Sequence, residues 1–202
     1  MAYFIKNLLF ISKTLKKEFF RKAIHMFSSF TPFLYFFSRS LVLVGLLIVT
    51  LIYFLSEVLR SKNIRIPIIS RITEIASRSR DEGKLVLGPI TLSIGIFLTF
   101  TLFDYRTATL AIFAVSFGDG VASLFGKIIG GVKIPFTFGK TMSGSMGCFI
   151  TLCSVYLLCG LDVSQALVIS AAGAIIEAFP TGDFDNLILP ISTGLIIQNL
   201  IL

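Results

Sequence analysis

The chain has 202 residues, of which 55% are hydrophobic and 14% charged, with 21 Phe and a net charge of +7. A soluble domain carries about 25% charged residues, so this composition excludes an ordinary water-soluble enzyme and implies lipid around most of the surface. The positive balance does not imply nucleic acid, because the basic residues fall between apolar runs instead of forming one face.

Residues 1–22 interleave Phe4, Ile5, Leu8, Leu9, Leu15, Phe19 and Phe20 with Lys6, Lys13, Lys16, Lys17, Arg21 and Lys22. A cleaved signal peptide needs a small-residue cleavage site after its apolar core, and none is evident. The pattern predicts an amphipathic helix over 1–23, lying on the cytoplasmic membrane surface. Seven apolar segments follow, at 24–37, 41–58, 85–103, 107–125, 144–161, 164–179 and 185–202. Several approach the ~20 residues that span a bilayer, and the first and sixth are short. The expected fold is therefore all-α: a polytopic integral membrane protein of about seven transmembrane helices, forming a single membrane-embedded catalytic domain over 1–202. Pro180 stops the sixth helix and Pro190 bends the seventh. The segment 59–84 mixes six isoleucines with basic residues and predicts a second helix on the cytoplasmic surface.

Orientation follows from charge. With the N-terminus inside, the inner segments 1–23, 59–84, 126–143 and 180–184 hold 16 of the 18 Lys and Arg, leaving Arg39 and Arg106 outside. That asymmetry predicts a cytoplasmic N-terminus, and an odd number of crossings places the C-terminus outside. Cys148, Cys153 and Cys159 lack the paired spacing of a zinc site and read as packing residues.

The stretch 117–147 carries the chemistry. Asp119 sits in an apolar segment, where an ionised group costs about 2.5–3.5 kcal/mol at mid-membrane, so it is expected to have a function. Ser116, Asp119, Gly120 and Ser123 share one helical face, predicted to open on an inner cavity. A loop rich in Gly, Lys, Ser and Thr follows, through Lys133, Lys140, Thr141, Ser143 and Gly144; backbone N–H groups and lysines in such a loop suit a polyanion, here a nucleotide. Gly139-Lys140-Thr141 is not a P-loop, because Ile134 stands where the first Gly is required. Asp183 and Asp185, after Gly182, suit a hard cation such as magnesium, although the same residues are ordinary turn formers. Glu177 is a second acid in an apolar helix. Glu18, Arg21, Lys22 and His25 share a face before the first span, and Glu57 and Arg60 are spaced as an ion pair.

At these residues the chain resembles the CTP-dependent lipid kinases: dolichol kinase, phytol kinase and the yeast-type diacylglycerol kinase. The elements are Glu18-x-x-Arg21-Lys22-x-x-His25, Gly118-Asp119-x-x-Ala122-Ser123-x-x-Gly126, Lys133, Lys140-Thr141-x-x-Gly144-Ser145 and Gly182-Asp183-x-Asp185-Asn186. The resemblance implies transfer of the γ-phosphoryl of CTP to a membrane lipid alcohol, with a divalent metal such as Mg²⁺, on the cytoplasmic face. Lys133, Lys140 and loop amides would hold phosphates, with Gly118 and Ser123 beside them. Asp119 with one or both of Asp183 and Asp185 would carry the metal, and a carboxylate or His25 would take the alcohol's proton. CDP-diacylglycerol synthase is similar around Asp119 and Lys140, but its longer basic signature before the paired acids is missing. A small transporter is a third reading; the internal repeats typical of transporters are absent from the sequence. A homodimer is left open.

Overall fold

The computed structural model describes residues 2–77, 84–137 and 139–201, with side chains from Leu15 onward apart from Ala76. Among these residues the chain is all-helical apart from its loops and one isolated antiparallel bridge, Lys133 to Thr141.

Helix α1 (Ala2–Phe27) leads through a 3₁₀ turn, Ser28–Phe30, into the short α2 (Thr31–Phe37). The apolar segment 24–37 is thus not one helix, and α1 runs beyond the predicted 1–23. Local chemistry explains the break. The hydroxyls of Ser28, Ser29 and Thr31 donate to the carbonyls of His25, Met26 and Ser28 at 2.5, 2.7 and 2.7 Å, and Pro32 starts the next helix. Ser38 caps α3 (Arg39–Ser61), followed by α4 (Pro67–Ala76), which lies within the predicted surface segment. Residues 78–83 of that segment lie outside the described residues. Then come α5 (Gly88–Leu102) and α6 (Tyr105–Phe113), the latter capped by the Asp104 carboxylate on the amides of Arg106 and Thr107. A π-helical turn, Ala114–Asp119, joins α6 to α7 (Gly120–Ile128) without a break. The last helices are α8 (Met142–Leu158), α9 (Val163–Ala178) and α10 (Asp185–Ile201), with Pro190 inside α10.

Among the described residues, two helices are long and apolar enough to cross a membrane, Arg39–Ser61 and the continuous Tyr105–Ile128, with 23 and 24 residues. The apolar helices α5, α8 and α9 have 15, 17 and 16 residues, below the ~20 of a full perpendicular crossing.

The core lies where α5, α6, α8, α9 and α10 meet, around Ile96, Phe100, Ile112, Leu152, Tyr156, Ile169, Leu189 and Ile197. Small residues set the approach of these helices, since dispersion needs close backbones where lipid is as apolar as the protein. A Cβ on Gly95 would lie 2.4 Å from the Asn186 carbonyl oxygen, and one on Gly144 2.7 Å from that of Ala122. By contrast α3 leaves Leu41, Val44, Leu47, Val49 and Leu51 more than half exposed.

The packing of α1 differs from the surface-lying helix expected over 1–23. From Glu18 onward it lays its polar face, not its apolar one, against the π turn and α7. Glu18 and Lys22 are 2% and 1% exposed, whereas Phe19 is 65% exposed. The reason is electrostatic: the polar stripe on 116–127 offers counter-charges that a lipid headgroup layer would otherwise supply.

Candidate active site

Four polar residues of α1, four of the π turn and α7, and two further stretches at 86–92 and 183–186 build the site. Lys22 Nζ lies 2.5 Å from Asp119 Oδ2, and His25 Nδ1 lies 3.2 Å from the same oxygen. One turn away, Glu18 accepts from Arg21 Nη2 at 2.5 Å, from Ser123 Oγ and from Lys127 Nζ. Ser28 and Ser116 hydroxyls meet at 2.7 Å. The predicted polar face of Ser116, Asp119, Gly120 and Ser123 therefore exists, but it is filled by α1 instead of opening on a cavity. Even Gly120 is covered, with Met26 Cγ 3.3 Å from where its Cβ would stand. The π turn widens the helix by one residue just where this buried charge must be met, a common place for such a bulge.

Burial alone would raise the Glu18 carboxyl. Arg21, the hydrogen bonds from Lys127 and Ser123, and Lys22 outweigh it and hold the carboxyl below its ordinary value.

On the next face of α1 lies a pocket with about 500 Å³ of open space including its mouth, lined by Arg21, Ile24, His25, Val86, Gly88, Pro89, Leu92, Asp183, Asp185 and Asn186. It thus joins three stretches that are distant in sequence. Gly182, at φ +70°, makes the turn that delivers Asp183, and Asp185 opens α10, where a carboxylate favours the helix N-terminus. Asn186 Nδ2 donates to the Gly88 carbonyl at 3.0 Å and to Thr91 Oγ1 at 3.1 Å, which fixes the amide's orientation. Its Oδ1 is then left buried with no hydrogen bond among the described residues.

These groups fit a magnesium ion in kind. Two carboxylates and an amide oxygen are hard donors, and Mg²⁺ takes its remaining ligands from phosphate and water. Asp119, expected among the metal ligands, instead faces Lys22 and His25. No group of three or more His, Cys, Asp or Glu gathers as a metal cluster among the described residues.

The predicted nucleotide loop is organised differently from the pocket. The stretches 132–134 and 140–142 pair with each other through Ile134 N to Lys140 O at 2.8 Å and Met142 N to Val132 O at 2.9 Å. Thr141 Oγ1 caps α8 by accepting from Gly144 N at 3.2 Å, and Ser143 Oγ donates to the Gly130 carbonyl. Gly118 and Gly144 serve close helix packing, the former beside Cys148 and Leu152. Lys133 is exposed. Lys140 Nζ pairs with Glu177 Oε1 at 2.9 Å and also donates to the Glu177 carbonyl, and this pair lies within electrostatic reach of Asp119.

Among known proteins, the chain is similar to several chloroplast kinases. Over 136 residues the chain is 28% identical to probable phytol kinase 1, chloroplastic, of Oryza sativa subsp. japonica, covering 56% of this chain and 43% of the relative. It is 31% identical over 140 residues to probable phytol kinase, chloroplastic, of Triticum aestivum (57% and 45%). It is 28% identical over 137 residues to farnesol kinase, chloroplastic, of Arabidopsis thaliana (59% and 44%). This chain is similar to phytol and farnesol kinases. The matched region spans less than half the length of these relatives. No family model and no solved structure matches.

Within this phytol-kinase-like chain, the structure brings Arg21, His25, Asp183, Asp185 and Asn186 together, and places Lys22 and Asp119 directly behind His25. Lys127 was not foreseen, although its spacing of four from Ser123 puts it on the same helical face. The apolar wall of Ile24, Val86, Pro89 and Leu92 carries no sequence signal, because such residues read as lipid-facing.

Proposed function

We propose that this chain is a membrane-embedded kinase moving the γ-phosphoryl group of CTP to a prenyl-type lipid alcohol such as phytol or farnesol. The observation that carries this reading is a pocket in which Arg21, His25, Asp183, Asp185 and Asn186 face an apolar wall. An alcohol with a hydrocarbon tail and a phosphate with its counter-ions need that combination, and the relatives' names fit it.

In this mechanism the tail lies along Ile24, Val86, Pro89 and Leu92. Asp119 Oδ2, 3.2 Å from His25 Nδ1, would favour a proton on that nitrogen by its charge, and Nε2 would then accept the proton of the attacking hydroxyl. The alcohol oxygen bonds to the γ-phosphorus as the bond to the bridging oxygen breaks, and CDP leaves. Arg21 would share its guanidinium between Glu18 and phosphate oxygens, and Lys133 and Lys140 would meet the rest of the triphosphate from the 126–143 loop, Lys140 exchanging Glu177 for phosphate. Asp183, Asp185 and Asn186 Oδ1 would hold Mg²⁺, which supplies neutralisation of charge on the phosphates.

Around this site we read the apolar helices as about seven membrane segments, some tilted or short, with the N-terminus and the pocket on the cytoplasmic side. In a Cys-free background, single Cys residues at 133 and 183 should label from the cytoplasm, and those at 39 and 162 from outside. Outside labelling at 133 would remove the shared cytoplasmic site.

The activity is tested with labelled CTP and phytol in detergent. Label at the γ-position should enter the lipid and label at the α-position should not. Label entering only from the α-position would make the chain a cytidylyltransferase instead.

A further inference from the structure

A buried latch sits behind the apolar wall of the pocket. Near the end of α3, Glu57 is 1% exposed. It accepts from Arg60 Nε at 2.8 Å and from Arg60 Nη2 at 2.7 Å, one bond on each carboxylate oxygen. Glu57 Oε2 also accepts from the backbone N–H of Val86 at 2.9 Å. Arg60 Nη2 reaches onward to the Lys84 carbonyl at 2.8 Å. From the other side, Asn186 Nδ2 holds the Gly88 carbonyl at 3.0 Å.

The non-helical stretch 84–87 is therefore fastened to α3 at Lys84 and Val86, and the start of α5 is fastened to α10 at Gly88. Val86, Gly88, Pro89 and Leu92 all line the pocket, whereas Glu57 and Arg60 do not. A buried ion pair is seldom the most stabilising choice, since an apolar pair of similar volume does as well. What this pair adds is geometry: a forked, charge-assisted set of bonds fixes both partners in direction as well as distance. Its target is the backbone of the wall.

Resting on the kinase reading above, we infer that Glu57 and Arg60 are positioning residues for the lipid acceptor. They set where the apolar wall stands relative to His25, and so where the acceptor hydroxyl is presented. The nucleotide meets α1, the 126–143 loop and the 182–186 turn; the wall touches these only at Asn186, through the Gly88 carbonyl, so its binding depends less on the latch than acceptor binding does.

The test uses the full chain in detergent with phytol and γ-labelled CTP. Glu57→Ala and Arg60→Ala should raise KM for phytol about tenfold while leaving KM for CTP within about twofold. Glu57→Gln keeps an acceptor for Val86, and Arg60→Lys keeps a single charged donor. Each should therefore raise KM for phytol only about two- to threefold, a partial rescue that a general loss of stability would not produce. Amide hydrogen exchange across 84–92 should quicken in both conservative variants. An equal rise in both KM values, a fall in kcat alone, or no kinetic change would overturn the inference. Unchanged exchange would overturn it whatever the activity. If the unaltered chain moves no γ-label to phytol while exchange still quickens in the variants, the latch stands as a structural device and the kinase reading is what fails.

Discussion

Two faces of α1 use the same side-chain types to opposite ends. On one, Glu18 and Lys22 are buried and matched to Ser123, Lys127 and Asp119. On the other, Arg21 and His25 stand with Asp183, Asp185 and Asn186 around open space. Arg21 and Lys22 are neighbours in sequence, yet about 100° of helical rotation sends one to the pocket and the other into the seam. Charge closed upon charge fastens α1 to α7; the second set borders a space while keeping partners of its own, Arg21 on Glu18 and His25 beside Asp119. His25 belongs to both, with Nδ1 beside Asp119 and the ring in the pocket wall.

The sharpest way to break this comparison is to unpair the seam. Lys22→Met leaves Asp119 buried without its ammonium partner and should cost about 3–5 kcal/mol of stability. Thermal unfolding in detergent measures it, and adding Asp119→Asn should restore part of the loss, because the stranded charge is then gone. If Lys22→Met unfolds like the unaltered chain, the seam is not what fastens α1.

The pocket should respond the other way. Asp183→Asn together with Asp185→Asn should lower kcat/KM by about 10²–10³-fold, as loss of charge stabilisation at a reacting phosphate does. The thermal midpoint should fall less than in Lys22→Met, since both acids border the pocket and are not sealed in the seam. A large drop in the midpoint would instead make the 182–186 turn part of the scaffold.

The smallest effect is a pH dependence confined to the seam. Glu18 is held below its ordinary value near 4.5. Its contribution to stability is therefore complete above that value and is lost as the pH falls through the lowered one. Unfolding midpoints recorded from pH 6 down to pH 3 should fall on the acid side, and Glu18→Gln should flatten that limb. A slope unchanged by Glu18→Gln would assign the acid sensitivity elsewhere.

Much of this was readable without coordinates. A 3.6-residue period and long apolar runs dictate helices wherever backbone groups must be satisfied without water. The high transfer cost of charge singled out Asp119 and Glu177, and local spacing put Arg21, Lys22 and His25 near one another on α1. Other features lay beyond any local pattern. That α1 turns its charged face inward depends on what 116–127 presents to it, a contact between residues about 100 apart in sequence. That Asp119 meets Lys22 and His25, while Asp183 and Asp185 meet Arg21 across a pocket, was decided by how α1, α7 and α10 pack. The wall of Val86, Pro89 and Leu92 is the extreme case. An apolar residue has the same transfer energy whether it faces lipid, a neighbouring helix or a substrate, so composition alone carries no information about which of these it meets. The bonds of Glu57, Arg60 and Asn186 to the backbone of 84–88 are likewise tertiary, joining residues that no local pattern pairs.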